Sequence, residues 1–503
     1  MPGLVSDARW SQLSEFVAET TGLHFPRERW ADLQRGLEAA ARELRFEDLA
    51  TCAEWLLSTP ANKAQLQVLA SHLTVGETYF LREKKTFEVL ASRVLPELVR
   101  SRRGREQRLR LWSAGCCTGE EPYSLAMLLH QVIPDLSDWH VTILATDINA
   151  RFLRKAVAGS YGQWSFRDTP AWLKERYFNQ TADGGYAIVP EVKKMVTFEH
   201  LNLVEDTYPS LATDTNAMDV IFCRNVMMYF TTAQVRKVIR NLHHALVEGG
   251  WLVVSPSEAS HALFPQFAAA NHPGVILYQK SDMKLHGKQA WMPAPLGAAA
   301  ECVAPAVETP SPWSLQVPVA VPAEPPPPLK KSAPAETPPT PLAAAQSHYQ
   351  EGRYAEAADA LLASIDGQAS EPAFSLLAHS LANLGRLDDA LRWCERWIAA
   401  DKLNPAPYYL CAMVVLEQGA ADQAKASLQR SLYLQPDFVL AHFALGNIAR
   451  GSGKSEESRR HFTNALHLLG RCQPHEILPE AEGLTAGRLA EIITSMSEME
   501  TTP

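Results

Sequence analysis

Leu109-Arg-Leu-Trp-Ser113 and the run after it, Ala114-Gly-Cys-Cys-Thr-Gly-Glu-Glu-Pro-Tyr-Ser124, decide the fold of this chain. The first string reads as a strand, Gly115 and Gly119 as a turn, and the residues through His130 as a helix. The pattern then recurs. Val141-Thr-Ile-Leu-Ala145 reads as a second strand ending in Thr146-Asp147, and Phe152 to Ala158 as a helix. Met195 to Phe198 and Asp219-Val-Ile-Phe-Cys223 read as strands, and Thr232 to Leu246 as a helix. Gly249-Gly250 turns into the strand Trp251 to Ser255. Strands alternating with helices predict a mostly parallel, doubly wound sheet. Such sheets bind ligands beyond the carboxyl ends of their strands, where the strand order reverses.

The first strand-to-helix turn indicates which ligand. Gly115 and Gly119 do not form a dinucleotide fingerprint, and no phosphate-loop Lys follows them. Gly at this turn lets backbone approach a ligand closely. Asp147, at the end of the second strand, is placed to accept hydrogen bonds from ribose hydroxyls. A nucleoside cofactor without phosphates is therefore favoured, and S-adenosylmethionine (SAM) is the obvious one. The alternative for Asp147 is a helix N-cap, since Ile148-Asn149 follows.

Around this core the chain divides by composition. It has 503 residues, 46% hydrophobic and 20% charged, with a formal net charge of −9. That length suits two to four domains. The acidic balance argues against a bulk nucleic-acid binder. No apolar run is long enough for a transmembrane helix, and Met1 to Trp10 has no apolar signal core, so a cytoplasmic location is expected. The eight Cys show no spacing for a zinc site or a disulfide framework, so no metal is expected. Residues 1–90 read as helices. One helix sets Leu33, Leu37, Ala40, Ala41 and Leu44 on an apolar face opposite Asp32, Arg35, Glu38, Arg42 and Arg45. Residues 82–110 hold ten Lys/Arg against four Asp/Glu, a basic stretch suited to an acidic partner. Residues 285–341 are rich in Pro and Ala and read as an extended linker.

Beyond the linker stands a repeat. Gly352, Gly385, Gly419 and Gly453 are 33, 34 and 34 residues apart. Ala357, Ala390, Ala424 and Ser458 follow them at a constant offset, and Ala345, Ala378, Ala412 and Gly446 precede them. This period resembles the tetratricopeptide repeat, a stack of helix pairs that presents a concave surface to a protein or peptide partner. Thr485 to Met496 is expected to cap the stack.

Several strings together resemble a known family. Thr78-Tyr-Phe-Leu-Arg82, Trp112 to Ser124, Ala145-Thr-Asp-Ile148, Asn202-Leu203 and Phe222-Cys-Arg-Asn-Val-Met-Met-Tyr-Phe230 stand in the order of CheR-type chemoreceptor protein-glutamate methyltransferases. The resemblance covers roughly residues 10–280. It implies an α/β Rossmann-like SAM-dependent methyltransferase core in residues 91–284, with a small β insertion near 181–198. A helical recognition domain would precede it in 1–90, and an α-helical tetratricopeptide solenoid would follow in 342–503.

The resemblance also implies roles for residues. Thr78, Arg82 and Glu120 would hold the methionine end of SAM, and Asp147 its ribose. Asn202 and Leu203 would frame the adenine. Arg224 and Asn225 would line the site, and Tyr229 would lie near the transferring methyl, which makes Arg224 and Tyr229 the catalytic candidates. Leu203 and Tyr229 could instead be core, and Arg82 a surface ion pair. Cys116 and Cys117 read as wall residues of the turn. The implied partner is the cytoplasmic helical region of a methyl-accepting chemoreceptor, with recruitment to receptor arrays left open. A Glu carboxylate is ionised at neutral pH, so methyl transfer to it needs no general base. Arg224 and the segment Arg100 to Arg105 are expected to attract acidic substrate helices. The alternatives are an inactive scaffold that binds partners through its repeats, and a methyltransferase for small carboxylic acids. Gly76 departs from the Asn common in the family.

Overall fold

The computed structural model describes residues 6–59, 61–204, 208–281, 340–364 and 370–500. The expected linker, 285–341, lies almost wholly outside them.

The strands are β1 Arg108–Ala114, β2 His140–Asp147, β3 Ser160–Tyr161, β4 Phe178–Gln180, β5 Tyr186–Ile188, β6 Val196–His200, β7 Met218–Phe222, β8 Leu246–Val253, β9 Phe267–His272 and β10 Val275–Lys280. Seven of them form one sheet in the order β6-β2-β1-β7-β8-β10-β9. The first five run parallel, and β10 pairs antiparallel with both β8 and β9. The strand order reverses beside β1, so the ligand crevice belongs beyond Ala114, Asp147 and Phe222. β1 and β7 are buried along their whole lengths. Helices cover both faces of a parallel sheet, which is why its strands read as apolar runs rather than alternations.

The helices take their bounds from local chemistry. Asn149 caps Ala150–Ala158, its side-chain oxygen accepting from the Arg151 N–H at 2.9 Å. Thr231 and Gln234 form a capping box at the start of Thr232–Ala245. In the amino-terminal region, Trp30–Glu43 buries Leu33, Leu37, Ala40 and Ala41 against Leu13 and Val17 of the helix Asp7–Thr21. Four helix pairs between Pro341 and Leu469 make up the repeat array, and Ala486–Glu500 follows them. The turn glycines of the four pairs all have positive φ, between 70° and 83°, a conformation any Cβ would oppose. The small residues at fixed offsets, such as Ala357, Ala378, Ala390 and Ala412, are fully buried where helices cross.

Two expectations need correction, and one element was missed. The small sheet is built from β3, β5 and β4, between residues 160 and 188, whereas Val196–His200 joins the large sheet. The hairpin β9–β10 was not expected at all. The segment Arg100 to Arg105 does not face the crevice. Arg102 forms an ion pair with Asp219 at the start of β7 and donates to the Arg108 carbonyl at 2.6 Å, while Arg103 pairs with Asp135. These contacts sit at the amino-terminal edge of the sheet, opposite the crevice, so Arg102 and Arg103 are engaged in holding the fold.

Asp219 is buried and also accepts from the Arg110 backbone N–H at 2.8 Å. Its replacement by Ala leaves both donors without it. We expect Asp219→Ala to lower unfolding free energy by roughly 3–5 kcal/mol in urea denaturation. Arg103→Ala, which breaks an exposed pair, is expected to cost about 1 kcal/mol or less.

Candidate active site

At the switch point lies a cavity of about 360 Å³. Three turns built by the parallel strands form its floor. After β1, Gly115 takes φ +85°, and a Cβ there would collide with the Val226 side chain. Gly119 takes φ +94°, and a Cβ there would meet the Ala156 Cβ at 2.8 Å. Gly115 lines the cavity, and the turn packs this tightly because both residues are Gly.

Asp147 ends β2 and is buried. One carboxylate oxygen accepts from the Cys117 N–H at 2.8 Å and the other from the Asn149 N–H at 2.8 Å. The helix cap is Asn149, which leaves Asp147 facing the cavity rather than capping. Burial pushes its carboxyl up to about 6, opposed only by the backbone N–H groups. In the folded chain the ionised form is thus disfavoured by about 3 kcal/mol relative to the unfolded one. Because the folded value is raised, the stability this group contributes is present at acid pH and lost as pH rises through about 6.

After β7, Asn225 takes φ +58°. The loop is held by Glu258, whose carboxylate accepts from the N–H groups of Asn225 at 2.7 Å, Val226 at 2.8 Å and Met228 at 3.2 Å. Arg224 is almost fully buried. It donates to Glu121 at 3.1 Å and to the Arg82 carbonyl at 2.6 Å. Burial raises the Glu121 carboxyl, against the Arg224 guanidinium and the Ser113 hydroxyl, which lower it.

The amino-terminal region closes one side. The His24 N–H donates to the Tyr229 carbonyl at 2.7 Å, and the Asn202 amide donates to the Thr20 carbonyl at 2.9 Å. Thr21, His24 and Arg29 line the cavity, and the Arg29 guanidinium lies 5.7 Å from the Tyr229 ring centre. The segment before Arg82 is anchored by Phe80, which stacks on Phe166 at 5.0 Å.

Of the residues singled out in the sequence, Thr78, Arg82, Asp147, Asn202, Leu203, Arg224, Asn225 and Tyr229 all line this cavity. Glu120 does not. It is buried and accepts from Thr118 at 2.6 Å and Ser165 at 2.9 Å, and its neighbour Glu121 lines the cavity instead. Glu258 and the amino-terminal wall were missed. Cys116 and Cys117 line the floor, and burial raises both thiols away from the thiolate form. Gly76 packs on the Phe152 ring, which a Cβ would meet at 2.8 Å, so no Asn side chain fits there without moving Phe152.

These features suit SAM. The buried acceptor at Asp147 fits a ribose, and the bare backbone at Gly115 permits close approach. Fold and site thus define a nucleoside-binding methyltransferase core joined to a repeat array. Residues 76–272 match the CheR methyltransferase, SAM binding domain, and residues 342–405 match a tetratricopeptide repeat. Chemotaxis protein methyltransferase 2 of Vibrio cholerae is 34% identical over 233 residues, 45% of this chain and 79% of that protein. Chemotaxis protein methyltransferase 1 of Pseudomonas aeruginosa is 36% identical over 220 residues, 42% of this chain and 77% of that protein. The probable biofilm formation methyltransferase WspC of Pseudomonas aeruginosa is 28% identical over 400 residues, 79% of this chain and 85% of that protein. The chain belongs to the CheR family of chemotaxis protein methyltransferases. It is a SAM-dependent methyltransferase with SAM as its methyl donor. Among the described residues no helix is long and apolar enough to cross a membrane.

Ribose hydroxyls donate best to an ionised carboxylate, so SAM affinity is expected to be highest above pH 6. Below that, Kd should rise by up to about tenfold per pH unit. Asp147→Asn is expected to bind more weakly and with a flat pH profile, as isothermal titration calorimetry would show.

Proposed function

We propose that this methyltransferase esterifies glutamate side chains in the cytoplasmic helical region of a methyl-accepting chemoreceptor. The observation that carries the reading is the wall of the cavity contributed by the amino-terminal helices, where Arg29 lies over Tyr229. A protein acceptor would meet that helical domain at the cavity mouth. The names of the relatives in Vibrio and Pseudomonas support a chemosensory setting. WspC, which aligns with both halves of the chain, keeps a system governing biofilm formation beside one governing chemotaxis.

Bound SAM supplies a methyl group activated by a sulfonium. In the proposed reaction a glutamate oxygen attacks the methyl carbon as the carbon–sulfur bond breaks, giving a neutral ester and a thioether. No proton moves, so no general base is needed, and the chain's task is to orient the carboxylate and exclude water. Asp147 would hold the ribose, while Thr78 and Arg82 would stand at the methionine end with Glu121 beside Arg224. Asn202 and Leu203 would frame the adenine, and Tyr229 would lie near the methyl. Arg224, turned inward onto Glu121 and the Arg82 carbonyl, acts by fixing these segments rather than by capturing substrate in a tight ion pair, which would slow reaction. Each ester removes one negative charge from the receptor helix and shifts its signalling balance. The repeats are proposed to add contacts to a protein or peptide partner.

Incubation with methyl-labelled SAM and receptor cytoplasmic fragments tests this. The expected result is label on the fragment that mild alkali releases as methanol, and that is lost when acceptor Glu residues are changed to Gln. Alkali-stable label, or label confined to small carboxylic acids, would contradict it.

A further inference from the structure

The repeat array and the catalytic half pack together, and two sets of contacts join them. The first set runs along the amino-terminal edge of the large sheet. A Cβ at Gly352 would strike the His244 ring, one at Gly385 would come within 3.3 Å of the Arg108 guanidinium, and one at Gly419 within 2.9 Å of the His140 ring. Arg108 begins β1, His140 begins β2, and His244 closes the helix before β8. Three successive repeat turns therefore rest on the edge away from the cavity. Glu417, 6% exposed, ends the first helix of the third pair. It accepts from Arg108 at 2.6 Å and from the Asn216 amide at 2.7 Å. A carboxylate buried to this degree needs such partners, and all of these come from the other half of the chain.

The second set involves the connection between β6 and β7. Leu211 is 3% exposed and shares a buried apolar cluster with Leu377, Leu381 and Leu410 of the array. Ala212 shares another with Tyr409, Met413 and Phe443. These partners lie on the first helices of consecutive repeats, the elements that together form one groove. The Leu211 backbone N–H donates to Glu482 at 2.6 Å. Glu482 also accepts from the Asn383 amide at 3.0 Å and from the Tyr349 hydroxyl. Glu482 lies in the connection between Leu469 and Ala486 and is itself held by those first helices, so the Leu211 side chain sits in the groove while its backbone bonds to a carboxylate anchored there.

We propose that residues 208–216 of the catalytic half occupy the repeat groove as a peptide would, held in cis beside the array's own connection through Glu480 and Glu482. The array is then an internal clamp on the methyltransferase, and any outside partner of this groove must first displace the loop. The same loop runs into β7, whose far end carries Arg224 and Asn225, so the clamp and the cavity lie on one continuous stretch of chain. Asp214 fixes the loop from the catalytic side, accepting from Arg110 at 2.7 Å. This proposal does not depend on the identity of the methyl acceptor and fails separately from it.

The test uses the full-length chain with a specific protease site placed within residues 282–339. After cleavage, the two pieces are expected to co-elute from gel filtration as one species of the uncleaved size. Leu211→Asp in the loop and Met413→Asp in the groove approach the contact from opposite sides. Each is expected to raise the Kd between the pieces by roughly a hundredfold, so that they elute apart. SAM binding by the released catalytic piece reports that it is folded, and circular dichroism reports the same for the helical piece. Separation of the wild-type pieces on cleavage would overturn the proposal. So would co-elution of both variants.

Discussion

The site depends on a largely buried carboxylate on the floor of the cavity. Asp147 sits at the end of β2 with each oxygen bonded to a backbone N–H, one from the turn after β1 and one from the start of the next helix. Burial still leaves its ionised form disfavoured. A group held at such a cost is a group awaiting donors, and two sugar hydroxyls would supply them. The surrounding features follow from that requirement. Gly115 and Gly119 let the chain turn tightly beside it, and Asn149 takes over the capping duty that Asp147 would otherwise perform.

A second polar network fixes the opposite wall. Glu258 gathers four backbone N–H groups, three of them from the turn at Asn225, and so holds that strained turn. Arg224 ties that turn to Glu121 and to the Arg82 carbonyl. The amino-terminal helices then close the cavity through His24 and Thr20. Each of these bonds joins segments far apart in sequence, so the cavity exists only when the amino-terminal region and the sheet are both in place. The array adds a third body, seated on the other edge of the same sheet through Arg108 and Glu417.

Much of this was legible in the sequence, and the exceptions have physical causes. The parallel strands were readable because strands buried on both faces are continuous apolar runs. The repeat was readable because only Gly tolerates its turn and only small residues fit its crossings. The edge hairpin was not. Its strand Phe267–His272 carries Ala268, Ala269 and Ala270 and shows neither an apolar run nor an alternation. Glu120 and Glu121 could not be told apart, since neighbours on a helix point about 100° apart and only the packing decides which faces the ligand. Arg102 looked like surface charge because its partner, Asp219, lies more than a hundred residues away. The amino-terminal wall was hidden for the same reason.

The most direct measurement follows the Asp147 carboxyl itself, by its carbon-13 resonance across a pH titration, with and without S-adenosylhomocysteine. The account predicts a midpoint near 6 in the free protein that moves to clearly lower pH when the nucleoside is bound, as the sugar hydroxyls stabilise the charge. A midpoint that the nucleoside leaves unchanged would mean that Asp147 does not hold the ribose, and the site as described would be wrong.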